Sequence, residues 1–151
     1  MRVVLQRVLR ASVTVDGERV SQIGRGYLLL VGVGRGDPPD EPERLAEKIV
    51  NLRLFADHEG KTDLPLAGVD GEILVVSQFT LYADLRKGRR PSWGDAEDPA
   101  VARERVEALA EALEARGARV ARGVFGAMMD VELLNDGPFT LVLEGPSLSS
   151  A

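Results

Sequence analysis

The sequence predicts a mixed α and β (α+β) domain, built as a curled mixed β-sheet or partial barrel with helices packed on one side. Three observations lead there. Residues 27–33 and 73–76 are apolar runs with no polar face, so each fits a central strand covered on both sides. Two other stretches repeat their apolar residues every three or four positions, which is the helical period. The remaining segments are short, rich in β-branched residues and divided by Gly, Asp and Pro, as strands and turns are.

Each element follows in order. Residues 3–8 read as a strand. Residues 11–15 alternate with period two and meet Asp16-Gly17, a hairpin turn that residues 19–23 answer as the return strand. Gly24-Arg25-Gly26 breaks the chain before the central strand 27–33, and residues 34–42 form a loop rich in Gly, Pro and Asp. Leu45, Ile49 and Leu52 recur at i, i+4 and i+7 and mark a helix. A turn at 57–60 precedes the second central strand, 73–76, which runs into Ser77-Gln78-Phe79-Thr80-Leu81. Asp98-Pro99 opens a second helix, with Asp as N-cap and Pro in the first helical position. Ala102, Val106, Leu109 and Leu113 give its buried face and Gly117 its stop. Short strands follow near 119–122, 129–133 and 139–143, with a frayed end over 145–151. No repeat or linker divides the chain, so residues 1–151 are expected to form one domain.

Composition narrows the chemistry. At 151 residues and 44% hydrophobic content the chain can bury a core without staples. It has no cysteine, which excludes disulfides, thiol catalysis and thiolate metal sites, and its single histidine, His58, excludes sites needing two imidazoles. No metal and no cofactor are expected. The net charge of −5 argues against a broadly basic nucleic-acid binder but permits a local basic patch. No apolar run is long enough to span a bilayer, and the N-terminal residues lack a signal-peptide pattern. A soluble, cytoplasmic protein is expected, without membrane or DNA as partner.

Three segments could carry chemistry. Ser77, Gln78, Phe79 and Thr80 place two hydroxyls and an amide at the end of a buried strand, a common position for ligand sites in α/β proteins. Hydroxyls that merely satisfy loose backbone groups would look the same. A nucleophilic Ser or Thr needs a base, and His58 sits in the turn-like Asp57-His58-Glu59-Gly60, so a Ser-His-Asp triad is disfavoured. Asn135-Asp136-Gly137-Pro138-Phe139-Thr140 is dense turn chemistry and reads as a hairpin loop between two strands. Its Gly-Pro backbone carries little side-chain bulk and suits close approach to a ligand. Arg86, Lys87, Arg89 and Arg90 crowd four cations into five positions, followed by Pro91, Ser92 and Trp93. A solvated loop and a phosphate-contacting loop with a stacking ring both fit that composition.

Taken together, these segments resemble the D-aminoacyl-tRNA deacylase family over nearly the whole chain. The resemblance rests on Gln6-Arg7-Val8 with residues 11–15, on Ser77-Gln78-Phe79-Thr80-Leu81, on Arg90-Pro91-Ser92 and on Asn135-Asp136-Gly137-Pro138 with Thr140. It implies an enzyme that hydrolyses the ester joining a D-amino acid, or mischarged glycine, to the 3′ end of tRNA. It also implies a homodimer with its active sites at the subunit interface. In that arrangement Ser77, Gln78, Phe79 and Thr80 line the site, and Gly137 and Pro138, joined by a cis peptide, enter from the partner subunit. Arg7 braces the Gly-Pro loop, with Asn135 and Thr140 in support, while Arg86, Lys87, Arg89 and Arg90 meet tRNA. The chain departs from the family's usual residues at Thr62-Asp63 and at Trp93. With no side-chain base in evidence, the tRNA's own 2′-hydroxyl is expected to assist hydrolysis. Two alternatives remain: a non-catalytic tRNA-binding module, and a small-molecule esterase using Thr80 as nucleophile.

Overall fold

A computed structural model describes residues 1–145, so the expected frayed end lies, from residue 146 onward, outside the described residues. β1 (Arg2–Val15) is a single strand of 14 residues rather than two strands. Its first half pairs antiparallel with β3 (Gly26–Gly32), and its second half pairs with β2 (Glu18–Ile23) across the Asp16-Gly17 turn. α1 (Glu41–Asn51) follows. A small hairpin, β4 (Phe55–Ala56) with β5 (Thr62–Leu64), flanks the 57–60 turn and was not anticipated, because such short strands leave no periodic signal. β6 (Glu72–Ser77) lies parallel to β3, so the two all-apolar runs are central neighbours. α2 (Pro99–Ala115) leads to β7 (Arg119–Arg122), which extends the sheet beyond β6 in parallel. β8 (Met129–Glu144) pairs antiparallel with β1 along nearly its whole length. The result is a nearly closed, barrel-like mixed sheet with two helices packed against it.

The sheet separates two cores, which explains why its central strands lack a polar side. Val3, Leu5, Tyr27, Leu29, Val31, Ile73 and Val75 face the helices and meet Leu45, Ile49, Leu109 and Leu113. The alternate residues Leu28, Leu74 and Val76 face the other way and join Val8, Val13 and Ile23 inside the curl. Each fully buried aliphatic side chain in these layers contributes about 1.5–3 kcal/mol of transfer free energy.

The helix ends follow the sequence in part. Gly117 takes φ +92°, and the amides of Gly117 and Ala118 close back on the carbonyls of Glu114 and Leu113. Asp98 occupies the N-cap position of α2, but its side chain makes no capping bond. Its carbonyl accepts from the amide of Ala102, and its own amide donates to Glu97.

A charged contact is buried beside the sheet. The α-ammonium of Met1 lies 2.7 Å from Asp37 Oδ2 and 2.7 Å from Glu41 Oε2. Glu41 is only 1% exposed. Asp37 Oδ2 also accepts the amide of Gly34 at 2.6 Å. Arg2 donates to the carbonyl of Leu81 at 2.7 Å and lies 4.6 Å from the centroid of the Tyr82 ring. The start of β1 is therefore tied directly to the segment that follows β6.

Candidate active site

β6 ends at Ser77, which stands beside Val31 of β3. The amide of Gln78 still donates to the Val31 carbonyl at 2.7 Å, and the chain then tightens into a 3-10 turn, Phe79–Tyr82. The turn is held from behind by Tyr82. Its ring fills the space over Gly32 and Gly34, where an added Cβ would come within 3.1 Å and 2.6 Å of it. Burial, with the nearby Asp37 carboxylate, raises the Tyr82 pKa, so its hydroxyl stays protonated at physiological pH. Amides at the start of such a turn have no partner inside it. Those of Phe79 and Thr80 find no acceptor elsewhere among the described residues.

Ser77, Gln78 and Phe79 line a cavity of about 570 Å³ whose other walls include Val31, Trp93, Val106 and Phe125. The wall is largely apolar, with Arg35, Glu97 and Asp98 as its charged members. Thr80 is exposed, and its Oγ1 accepts a short hydrogen bond from Gln78 Nε2. His58 stands in the 57–60 turn with 91% of its side chain exposed, away from this cavity. No imidazole therefore serves Ser77 or Thr80. Phe125 was not singled out in the sequence. Its signal is an aromatic set between Gly123 and Gly126, too common a pattern to choose on its own.

The basic segment joins the cavity at its rim. Asp84 and Ser92 exchange backbone hydrogen bonds and pinch off residues 85–91 as an exposed loop. Trp93 meets Phe79 edge to face, with centroids 5.0 Å apart. Arg86 donates to both oxygens of Asp84 and holds that carboxyl well down, at about 2. The pair is thus charged on both sides and locally neutral at pH 7. Lys87, Arg89 and Arg90 make no ion pair among the described residues. They carry the loop's uncompensated charge.

The Asn135–Thr140 segment is not a hairpin. Gln6 stands opposite Thr140 and Val8 opposite Asn135, so two steps along β1 match five along β8. The chain keeps its direction and throws residues 136–139 outward as a bulge. Turn-forming residues serve a bulge as well as a reversal, which is why the sequence suggested a loop. Asn135 closes the base, its Nδ2 donating to the carbonyls of Arg7 at 2.9 Å and Phe139 at 3.2 Å. Arg7 Nε reaches the Asp136 carbonyl at 3.2 Å and its carboxylate at 3.0 Å, while Nη1 donates to Leu54. The guanidinium also lies 4.3 Å from the Phe139 ring centroid. Thr140 Oγ1 accepts from Gln6 Nε2 at 3.2 Å. At the tip, Gly137 and Pro138 are joined by a cis peptide, and both are exposed.

Within one chain the bulge and the cavity are apart. Ser77 aligns through Val31 and Val3 with Leu143 of β8, three strands across the sheet. The bulge stands opposite Arg7, four residues further along β1, or roughly 13 Å at the usual rise per residue.

Comparisons with known proteins point in one direction. The family model for D-Tyr-tRNA(Tyr) deacylase matches residues 4–144. A D-aminoacyl-tRNA deacylase of Chloroflexus aurantiacus is 59% identical over 148 residues, covering 98% of this chain and 92% of the relative. One from Roseiflexus castenholzii is 57% identical over 144 residues, with 95% and 92% covered. Among solved structures, a c-Myc DNA Unwinding Element Binding Protein superposes with a TM-score of 0.88 at 42% identity, covering 95% of this chain and 98% of that one. A probable eukaryotic D-amino acid tRNA deacylase gives a TM-score of 0.78 at 18% identity over 94% of this chain and 97% of its own, which concerns the fold. With the match running through both the Ser77–Thr80 strand end and the Gly137-Pro138 bulge, the chain belongs to the D-Tyr-tRNA(Tyr) deacylase family.

Proposed function

We propose that the chain hydrolyses the ester of D-aminoacyl-tRNA, releasing the free D-amino acid and tRNA, with glycine mischarged onto tRNA as a further substrate. Residues 1–151 act as one catalytic domain, in the cytoplasm. The observation that carries the reading is the strand end at Ser77. Two unpaired amides, those of Phe79 and Thr80, follow it, and Ser77, Gln78 and Phe79 line an apolar cavity there. Such amides suit the oxyanion that forms when an ester carbonyl is attacked, with each preorganised donor worth about 3 kcal/mol of barrier. The cavity's apolar walls and the rings of Trp93 and Phe125 suit the terminal nucleoside. Lys87, Arg89 and Arg90, on the exposed loop before Trp93 and outside the cavity's lining, suit phosphates of the tRNA body, and the pairing of Arg86 with Asp84 shapes that loop.

Selection by handedness needs a part that the single chain does not bring to the cavity. A D- and an L-residue differ only in which substituent fills which corner at Cα. A main-chain segment fixed in the L side-chain's corner rejects every L-residue whatever its side chain, and it admits glycine. Gly137-Pro138 has that character: it is exposed, carries little bulk and is pinned at its base by Arg7 and Asn135. Because the bulge lies far from its own Ser77, a second copy of the chain supplies it, and the working unit is a homodimer with two shared sites.

Neither Ser77 nor Thr80 is hydrogen-bonded to an imidazole or a carboxylate among the described residues. The attacking water is therefore assisted by the 2′-hydroxyl of the terminal ribose. Thr80, outside the cavity's lining, accepts from Gln78 and holds that side chain rather than attacking the ester. Thr80→Ala is expected to keep activity within about tenfold of wild type, the scale of one lost positioning hydrogen bond. D-Tyr-tRNA ending in 2′-deoxyadenosine is expected to turn over at least about 10²-fold more slowly, as loss of acid–base assistance would cause. Single-turnover deacylation rates check both. Full loss with Thr80→Ala in a folded protein, or normal turnover of the deoxy substrate, would reverse the assignment.

A further inference from the structure

Beside the 570 Å³ cavity lies a second one of about 420 Å³, which shares Ser77, Val106 and Phe125 with it. The two are neighbours across the Phe125 ring. The second is lined by Arg103, Glu107 and Arg122, and its polar character contrasts with the first. Its two arginines are in different states. Arg122 is gripped by Glu107 at 2.9 Å and by Glu114 at 2.5 Å, and these carboxylates raise its pKa further. Its charge is spent inside the protein. Arg103 stacks over the Phe125 ring, 4.8 Å from the centroid, is exposed, and makes no ion pair among the described residues. Its donors are therefore available to a ligand, and the stacking fixes where they are offered.

We propose that Arg103 binds a phosphate of the tRNA acceptor end: the phosphate that enters the seam between the two cavities once the terminal nucleoside occupies the first. This deepens the proposed function and rests on it. A nucleoside seated against Phe125 carries its 5′-phosphate a few ångströms from the base. On the first cavity's wall Arg35 donates to the Gly94 carbonyl and Glu97 and Asp98 repel a phosphate, whereas the second cavity offers the unpaired Arg103, so the strand leaves past Arg103. A guanidinium offers paired donors to phosphate oxygens, which suits it to that contact. The site selects a nucleotide chain over a bare nucleoside ester, so it confers a preference for tRNA independent of the amino acid's handedness.

The test compares two substrates, D-tyrosyl-tRNA and D-tyrosyl-adenosine, which lacks every phosphate. For wild type, Arg103→Ala, Arg103→Glu and Arg103→Lys, the ratio of their kcat/KM values is measured. Arg103→Ala is expected to lower the ratio about tenfold, and Arg103→Glu more, since losing one charge-assisted contact is worth about that factor. Arg103→Lys should recover part of the loss. The slope of log kcat/KM for the tRNA against log salt should become shallower by about 0.7 in Arg103→Ala, as expected for one lost contact to single-stranded nucleic acid. An unchanged ratio with an unchanged slope would overturn the proposal. So would equal losses on both substrates, which would mean that Arg103 only supports the Phe125 wall. Failure of the wild-type protein to cleave D-tyrosyl-tRNA would instead sink the function itself, and it shows before any variant is made.

Discussion

Arg7→Ala is expected to lose most of the discrimination between D- and L-aminoacyl-tRNA, together with at least about 10²-fold in the rate on D-tyrosyl-tRNA, the scale of a displacement near 1 Å in a positioning group. One side chain holds the bulge at several points. Its guanidinium binds the carbonyl and carboxylate of Asp136, donates to Leu54 and packs on Phe139. It is only 12% exposed, so removal leaves partly buried acceptors unsatisfied and costs about 2–3 kcal/mol of stability. Lysine keeps the charge but cannot bond Asp136 and Leu54 at once, so Arg7→Lys should fall between. Paired deacylation assays on D- and L-tyrosyl-tRNA, with thermal unfolding as the control for folding, give the answer. An unchanged D/L ratio in Arg7→Ala would mean that the bulge does not read handedness.

The second large effect is on stability. Glu41→Gln is expected to destabilise the fold by about 3 kcal/mol, near the lower end for breaking a buried ion pair, because Asp37 remains as partner. For a chain of this length that lowers Tm by roughly 6–12 °C. Glu41 is buried against the Met1 ammonium, and neutralising it strands part of that charge. Space offers no relief, since a Cβ at Gly145 would already stand 1.5 Å from Glu41 Oε1. The comparison is Glu43→Gln. Its partner Arg116 and it are 29% and 64% exposed, so the change should stay within about 0.5 kcal/mol. Equal, small shifts in both variants would show that Asp37 alone holds the amine.

Much of this architecture could be read from the residues. The all-apolar runs at 27–33 and 73–76 announced central strands, because strands buried on both faces cannot afford a polar side. Pro99 and Gly117 framed α2, since each acts through its own backbone. What local signals could not supply was pairing. Nothing in residues 2–15 says that one strand serves three neighbours. Nothing in Asn-Asp-Gly-Pro says whether the chain turns back or bulges, because both need the same backbone freedom. The Ser77–Thr80 segment was visible as a strand end bearing hydroxyls. Its walls, Val106 and Phe125, come from distant elements and became visible only when the sheet brought them together.

A complementation experiment tests the shared site most directly. One variant loses the bulge by replacing Gly137-Pro138 and its neighbours with a short regular strand. The other keeps the bulge but carries Gln78→Ala with Phe79→Ala. Each alone should be nearly inactive on D-tyrosyl-tRNA, the first because the bulge also seats the D-residue's Cα and its loss leaves the ester unpositioned against the strand end. Unfolded in denaturant together and refolded at equal concentrations, they should regain about a quarter of wild-type activity, because half of the pairs are mixed and each mixed pair holds one intact site under two-fold symmetry. Activity that stays at the level of the separate variants, although mixed dimers have formed, would contradict a site built from two chains.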